Sequence, residues 1–244
     1  MSTPPSQPQS TENKILAALD STDYQHFLSK LERVTLAQGE VVYEPGDNID
    51  YVYFPETAVF SMLCMMEDGD TSEVGPVGRE GLVGLSIFFG ANTTPTQLIV
   101  HVAGDAQRVS SELLRQEFRS ERSPLAHKLF RYTQMLLSMT GQSSACNNLH
   151  SMEQRLAKWL LMMHDYVGDE LLLTHDLIAL TLGVRRAGIT GVAIQFKDAG
   201  LIDYRRGRIQ LVDRAGLEAR ACECYEVIRD EYERLYEDLA KVAP

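Results

Sequence analysis

Short apolar runs interrupted by glycines occupy the chain from residue 34 to about residue 109, and they limit the folds open to it. The runs are rich in Val, Tyr, Phe, Ile and Leu, and turn-forming strings such as Gln38-Gly39 and Glu67-Asp68-Gly69-Asp70 separate them. β-Branched and aromatic side chains favour strands, whereas Gly beside Asp favours tight turns. We therefore expect about eight short strands that close into a small barrel or roll.

From Ser110 onward, the spacing of apolar residues is typical of helices and no longer of strands. Between Pro124 and about Asn147 the apolar residues recur at alternating steps of four and three, at Leu125, Leu129, Tyr132, Leu136 and Met139. This is the heptad spacing of a coiled-coil seam, and about 24 helical residues span roughly 36 Å. The spacing predicts a helix that links two domains and pairs with a second copy of the chain. The alternative is an amphipathic helix packed on its own β-roll.

The segment from residue 174 to residue 211 has the pattern of a winged helix-turn-helix. Thr174 can cap a first helix, Gly183 suits the tight turn, and a second helix follows before two short strands around an arginine-rich tip. The residues predicted to contact DNA are Thr174, Arg185, Arg186, Ala187, Thr190, Gly191, Gln195, Arg205, Arg206 and Arg208. The second helix would enter the major groove, and the tip would hold phosphates. The alternative is a solvated helix face.

The distribution of charge agrees with nucleic-acid binding, although the total does not. The formal net charge of −11 argues against a polyanionic partner. Ten acids and one base lie between Gly39 and Gly84, whereas six bases and two acids lie between Arg185 and Arg208. The acidity therefore belongs to the first half of the chain, and the helix-turn-helix is locally basic.

These patterns predict an α+β chain with three principal parts. The N-terminal part is a jelly-roll-like β-roll sensor domain, the second is a long dimerisation helix, and the third is a winged helix-turn-helix. Residues 1–14 are rich in Ser, Thr, Pro and Gln without apolar periodicity, which predicts a disordered tail. The other expected boundaries are 15–121 for the sensor, 122–149 for the helix, 150–218 for the winged helix and 219–244 for an acidic C-terminal helix.

The order of parts and several local strings resemble the Crp/Fnr family of bacterial regulators over about residues 15–225. The strings are Gly39-Glu40 with Glu44-Pro45-Gly46-Asp47, Leu173-Thr174 through Arg186, and Ala199-Gly200-Leu201-Ile202. The resemblance implies a cyclic-nucleotide-binding-like roll and a homodimer that binds a two-fold-symmetric operator. It also implies double-stranded DNA as the partner, and RNA polymerase is compatible with this class.

Two departures from the family pattern limit what the resemblance carries over. Family members commonly have Arg, Glu and a further Arg on the recognition helix, but only Arg186 persists, with Ala187 and Gly191 at the other positions. Cyclic-AMP binders have Gly-Glu-x-Ala and then Arg-Ser, where this chain has Gly81-Leu82-Val83-Gly84 and Pro95-Thr96. Because a buried phosphate without a cation is costly, we expect no ordinary cyclic-AMP binding.

An unidentified, less charged effector remains compatible with the roll, and so does constitutive DNA binding. The expected ligand pocket consists of Phe54, Leu63, Gly81, Leu82, Gly84, Phe88 and Thr96. No cofactor and no metal site are predicted. Cys222 and Cys224 form a C-x-C pair without obvious companions, and His26 and His101 are interpreted as core or surface residues, with haem ligation as the alternative.

The predicted function is sequence-specific regulation of transcription by a DNA-binding homodimer in the cytoplasm, without a membrane partner. The start of the chain lacks the basic and apolar regions of a signal peptide. The alternative is a winged-helix protein-interaction module with a degenerate sensor domain. An enzyme is not expected, because no nucleophile elbow, phosphate-binding loop or H-E-x-x-H motif is present. Glu73 and Glu80 are interpreted as exposed turn carboxylates.

Overall fold

The computed structural model describes residues 11–118, 123–205 and 207–241 of the chain. Within these residues a β-roll is followed by a long helix and then by a small helical domain with its own three-stranded sheet. The predicted α+β architecture of roll, long helix and winged helix-turn-helix is confirmed. A single cluster of buried apolar side chains extends through all of these parts.

Seven antiparallel strands form the roll within the described residues. They are β1 (Glu32–Leu36), β2 (Val41–Tyr43), β3 (Tyr51–Pro55), β4 (Val59–Met65), β5 (Thr71–Val77), β6 (Gln97–Val102) and β7 (Gly104–Ser110). They pair in two sheets with the orders β1-β7-β3 and β2-β6-β4-β5. Phe54 of β3 and Phe60 of β4 are fully buried in the same core, so each sheet covers it with one face. A short 3₁₀ helix, Leu85–Ile87, lies between β5 and β6.

Two short helices, α1 (Lys14–Ala17) and α2 (Ser21–Leu28), precede the roll. Asn13 caps α1 through its side-chain oxygen, and its amide nitrogen donates to the carbonyls of Pro55 and Gly81 at 3.0 and 2.9 Å. Asn13 is fully buried. The prediction of a disordered tail over 1–14 therefore does not hold from Asn13 onward, because these hydrogen bonds tie the chain to the roll. Residues 1–10 of that tail lie outside the described residues.

Helix α3 (Ser111–Phe118) leads towards the long helix α4 (Pro124–Leu149), which Ser123 caps. At 1.5 Å per residue, its 26 residues span about 39 Å. The capping box of Ser151 and Gln154 starts helix α5 (Met152–Val167) immediately after it. The long helix and its junction with the next domain thus follow directly from local capping signals.

The predicted seam of α4 faces the interior of its own chain. Leu125, Leu129, Tyr132 and Met139 are all buried, and Leu136 is half-buried. The tip of Tyr132 lies against Gly81 of the roll, where an added Cβ would meet the Tyr132 hydroxyl at 2.4 Å. These side chains are therefore not available as a seam to a second copy. The alternative of a helix packed on its own β-roll describes them better.

The C-terminal domain continues from α5. Its elements are β8 (Glu170–Leu171), α6 (His175–Leu182), α7 (Arg186–Asp198), β9 (Ile202–Arg205), β10 (Arg208–Leu211) and α8 (Arg214–Glu218). The strands pair in the order β8-β10-β9, and Trp159 of α5 is buried. This is the helical domain with a β-hairpin that the sequence predicts.

A last helix, α9 (Cys224–Lys241), packs along α4. The buried Lys128 ammonium of α4 donates to the Leu239 carbonyl at 3.1 Å, and Arg131 pairs with Asp238. Leu235 and Leu239 of α9 are buried against the core. The acidic C-terminal segment is therefore an integral part of the fold, because one face of it covers α4.

No single helix among the described residues is both long and apolar enough to cross a membrane. Helices α6 and α7 reach that length and composition only when they are taken together across a bend of 114°.

Candidate nucleic-acid interface

Helices α6 and α7 form the helix-turn-helix. Thr174 caps α6 through a hydrogen bond from the Leu177 amide at 3.2 Å, and Gly183 ends α6 with a φ of 62°. A residue with a side chain rarely adopts this left-handed conformation, which explains the glycine in the turn. The 114° bend between the two helices lies in the range typical of helix-turn-helix motifs. Ile189, Ala193 and Phe196 bury one face of α7.

The opposite face of α7 is exposed to solvent. Arg185, Arg186, Ala187, Gly191 and Gln195 are exposed, and Thr190 is half-buried. Arg185 and Arg186 lie at the N-terminal end of the helix, where a recognition helix first meets base edges. The structure therefore brings these six predicted residues together on one surface. Thr174 is also exposed, although its hydroxyl already caps α6.

The hairpin of β9 and β10 is the predicted wing. Arg205 and Arg208 face each other across the hairpin and are both exposed, whereas Arg206 lies outside the described residues. The Tyr204 ring stacks on the His175 ring at 4.2 Å, and His175 Nδ1 lies 3.0 Å from the Thr190 hydroxyl of α7. One histidine therefore connects the wing to the recognition helix, and sequence analysis did not identify it. Burial and the nearby Arg186 lower the pKa of His175, which favours its neutral form.

Three exposed arginines of this surface have acidic partners within the domain. Arg186 Nε lies 3.3 Å from Asp176, Arg205 Nε 3.0 Å from Asp203, and Arg208 2.6 Å from Glu170. Exposed ion pairs of this kind contribute at most about 1 kcal/mol, so phosphate groups can replace the carboxylates at little cost. The pairs orient the guanidinium groups without burying them.

The acidic hairpin of the roll lies beside the start of α7. The Thr71 hydroxyl of β5 donates to the Leu180 carbonyl of α6 at 3.2 Å, and a Cβ at Gly183 would lie 3.1 Å from the Thr71 carbonyl. A groove of about 890 Å³ separates Asp70 from Arg185 and the first turn of α7. The roll therefore contacts the helix-turn-helix at the end of α6 and at the turn, beside the first turn of α7.

Residues 154–220 match the family of Crp-like helix-turn-helix domains. This chain carries a Crp-like helix-turn-helix domain on a Crp/Fnr fold. FixK2 from Bradyrhizobium japonicum is similar in structure, with 17% identity, a TM-score of 0.67, and coverage of 79% of this chain and 98% of that one. No curated protein matches the sequence.

Two other solved structures support the same fold. A Crp/Fnr-family regulator from Thermus thermophilus is 22% identical over 78% of this chain and 98% of its own, with a TM-score of 0.54. The c-di-GMP-responsive global regulator CLP from Xanthomonas campestris is 19% identical over 79% and 99% of the two chains, with a TM-score of 0.62. The predicted resemblance to the Crp/Fnr family is confirmed, and the domain type is that of DNA-binding transcription regulators.

The β-roll contains a cavity of about 260 Å³ beside α4. Of the residues predicted for the ligand pocket, Gly84 and Thr96 line it, together with Pro95, Thr94 and Leu136. The other residues predicted for the pocket lie elsewhere. Phe54, Leu63 and Leu82 are fully buried, Gly81 packs against Tyr132, and Phe88 belongs to an aromatic group with Phe89, Phe118 and Phe130. None of the described residues that line the cavity is charged.

A second cavity, of about 420 Å³, lies between α5 and α9. Its lining includes the cations Arg79, Arg214 and Arg229 and several tyrosines of α9. Arg214 lies 2.8 Å from Asp165 and is already paired there. Sequence analysis did not identify this cavity, because its lining residues come from distant parts of the chain.

Two carboxylates of the roll are enclosed, contrary to the prediction that they are exposed. Glu80 is buried and accepts from the Gly78 amide and the Tyr166 hydroxyl, both at 2.9 Å. Glu73 is half-buried, but both of its carboxylate oxygens have partners, since it accepts from Ser61 and from Trp159 Nε1 of α5 at 3.2 Å. Burial raises the pKa of Glu73 to about 7. Glu73 therefore connects the roll to the first helix of the DNA-binding domain.

His101 belongs to the same network on the roll side. It lies 3.1 Å from the Ser61 hydroxyl, its ring packs edge-on against Trp159, and burial lowers its pKa to about 4. A neutral, fully buried ring beside a tryptophan is a core histidine, as the sequence interpretation has it. His26 is exposed and lies near Glu117 and Lys30.

Proposed function

We propose that the protein is a sequence-specific DNA-binding transcription regulator that acts without enzymatic activity on a two-fold-symmetric operator. The observation that carries the proposal is the exposed face of α7, with Arg185 and Arg186 at its N-terminus and the wing arginines beside it. Arginine can donate two hydrogen bonds to guanine O6 and N7, and the wing can bind phosphates on either side of the groove.

The proposed homodimer uses the outer face of α4. The exposed residues of that face are Phe130, Gln134, Leu137, Gly141 and Ser144, which again alternate in steps of four and three. The side chains of Phe130 and Leu137 are 58% and 69% exposed, and a Cβ at Gly141 would meet nothing within 4 Å. The chain's own packing therefore does not require glycine at this position. The missing side chain would instead allow the α4 helix of a second copy to approach closely. A parallel pair of α4 helices would hold two α7 helices in symmetric positions.

The proposed sensor does not bind cyclic AMP in the ordinary way. Its cavity beside α4 offers hydroxyl and apolar groups but no cation among the described lining residues. A cyclic phosphate would lose its hydration there without gaining an ion pair. The cavity therefore suits a small, weakly charged effector that contacts both the roll and Leu136 of α4.

Selection from a pool of genomic fragments, followed by fluorescence anisotropy at two salt concentrations, tests the proposal. Saturable binding to fragments that share an inverted repeat, weaker at high salt and unchanged by cyclic AMP, is the expected result. The variant Arg205→Ala/Arg208→Ala should lose affinity for all sequences, and Arg234→Ala on α9 serves as the control. A folded dimer that selects no fragment would instead favour a winged helix that binds protein. Binding that requires cyclic AMP would refute the sensor part.

A further inference from the structure

Three cysteines and one histidine meet at the end of α4. Cys146 lies in the last turn of α4, and His150 is the residue that ends this helix, with its amide donating to the Cys146 carbonyl at 3.1 Å. Cys222 lies in the turn between α8 and α9, and Cys224 is the first residue of α9. All three cysteines are buried, and they pack as a group separate from the main apolar core. The interpretation of Cys222 and Cys224 as a pair without companions is therefore wrong.

The spacing of the four side chains matches a tetrahedron around one metal ion. One ligand atom from each residue can be chosen so that all four lie within 4.8 Å of one another. The sulfurs of Cys146 and Cys222 are 3.6 Å apart, and the sulfur of Cys224 is 3.5 Å from His150 Nδ1. Zinc bonds of about 2.3 Å to sulfur and 2.0 Å to nitrogen give tetrahedral edges of about 3.8 Å and 3.5 Å.

We propose that Cys146, His150, Cys222 and Cys224 bind one structural Zn²⁺ ion that fastens the end of α4 to the start of α9. Three thiolates and one imidazole are a common closed ligand set for zinc, and a tetrahedral set of soft ligands selects zinc over magnesium or calcium. An iron–sulfur cluster is disfavoured, because several bridged irons would hold their protein ligands further apart than this compact group. Binding is not a redox step, and the protons of the cysteine thiols pass to solvent as the thiolates coordinate.

The residues around the cluster fit a bound zinc ion. Nε2 of His150 lies 3.3 Å from the Glu223 carboxylate, so this carboxylate can accept a hydrogen bond from the Nε2–H of a neutral imidazole and orient Nδ1 towards the metal. Gln142 donates to the Cys224 sulfur at 3.1 Å, which favours the thiolate. Lys158 is buried and acts electrostatically on Cys146, so its charge offsets the excess negative charge of three thiolates on one divalent ion.

The position of the site gives it a structural role. His150 immediately precedes Ser151, the cap of α5, and α5 is the first helix of the DNA-binding domain. A zinc ion here would hold the junction of α4 and α5 against the first turn of α9. The metal would therefore stabilise the placement of the helix-turn-helix relative to α4, whether or not the protein binds DNA.

Metal analysis of the full-length chain tests the proposal. The variant Cys64→Ala removes the one cysteine outside the cluster, so every remaining thiol belongs to the site. We expect about one zinc ion per chain after dialysis. When a mercurial reagent is added to titrate the three remaining thiols, the zinc should be released and detected by a colorimetric indicator. Cobalt substituted for zinc should show the intense visible bands of a tetrahedral site with thiolate charge transfer. Neither measurement depends on a variant of the ligands.

Ligand variants then locate the metal. Cys222→Ser and His150→Ala should lose most of the zinc, whereas Glu223→Gln should keep it with about 10- to 100-fold lower affinity. Circular dichroism establishes that each variant is folded. Zinc retained in both ligand variants would refute the assignment. The assignment would also be refuted if the reduced, folded parent protein takes up no zinc. A stable native disulfide between Cys146 and Cys222, or the absorption spectrum of an iron–sulfur cluster, would refute it as well.

Discussion

Single side chains decide what the proposed interface can distinguish. Arg186 is exposed at the first turn of α7 and forms an exposed ion pair with Asp176. Arg186→Ala should weaken binding to the selected operator by about 1–3 kcal/mol and weaken binding to random DNA much less. Anisotropy titrations with both DNAs measure the difference, and Arg234→Ala provides a matched loss of charge on α9. Equal losses on both DNAs would mean that Arg186 contacts phosphate and not a base.

Glu73 makes stability depend on pH at the contact between the roll and α5. The pKa of Glu73 in the folded protein, about 7, lies above the ordinary value of 4.5. The contribution of Glu73 to the free energy of unfolding is therefore fully present below about pH 4.5 and is lost as the pH rises through 7. His101, whose pKa is lowered, acts in the opposite direction over part of this range. Comparison with a Glu73→Gln variant isolates the carboxylate, because both proteins keep His101.

We expect the free energy of unfolding of Glu73→Gln, relative to the wild type, to rise by about 1–3 kcal/mol between pH 5 and pH 8. Urea denaturation at several pH values measures this change. Glu67→Gln, on an exposed turn of the same roll, should show no such trend. A constant difference for Glu73→Gln across the range would show that its carboxylate is not protonated in the folded protein.

Helix α4 has apolar residues on two faces, which have different packing environments. Its inner face, with Leu129 and Tyr132, belongs to the chain's own core, and its outer face carries Phe130 and Leu137. Leu137→Glu would place two like charges opposite each other in a symmetric helix pair. This variant should raise the dissociation constant of the dimer at least about tenfold, which corresponds to 1.4 kcal/mol, without changing the fold of the monomer.

Sedimentation equilibrium measures this loss of dimer. Val212→Glu, an equally exposed position in the DNA-binding domain, is the control and should leave the dimer intact. If Leu137→Glu remains a dimer of unchanged affinity, α4 does not form the interface.

At the scale of the whole molecule, the acidic roll and the basic helix-turn-helix face each other across the groove between Asp70 and Arg185. Phosphates must compete with this acidic hairpin for the start of α7. Asp70→Asn should therefore increase DNA affinity by about 0.3–1 kcal/mol at low salt, with a smaller gain at high salt because ions screen exposed charges. Anisotropy with the selected operator measures the gain, and Asp230→Asn on α9 is the matched control. An equal gain in both variants would reflect net charge alone.

Local signals in the sequence were sufficient for the architecture. Glycine-punctuated apolar runs predicted the roll, and Thr174, Gly183 and the arginine-rich tip predicted the winged helix-turn-helix. Each of these signals acts over a few residues, since turns, caps and strand or helix periodicity depend on near neighbours along the chain. The exposed face of α7 followed from the same periodicity.

Tertiary packing decided the rest. The heptad spacing of α4 identified an apolar face but not its partner, which is the chain's own roll and α9. Cys146-x₃-His150 was the only hint of companions for Cys222 and Cys224. Cys146 and Cys222 are 76 positions apart, and they come together only when α9 returns along α4. Glu73 and Glu80 follow turn-like strings in the sequence, yet α5 covers them. Sequence patterns record which side chains share a face, whereas burial and ligand geometry depend on which distant surface meets that face.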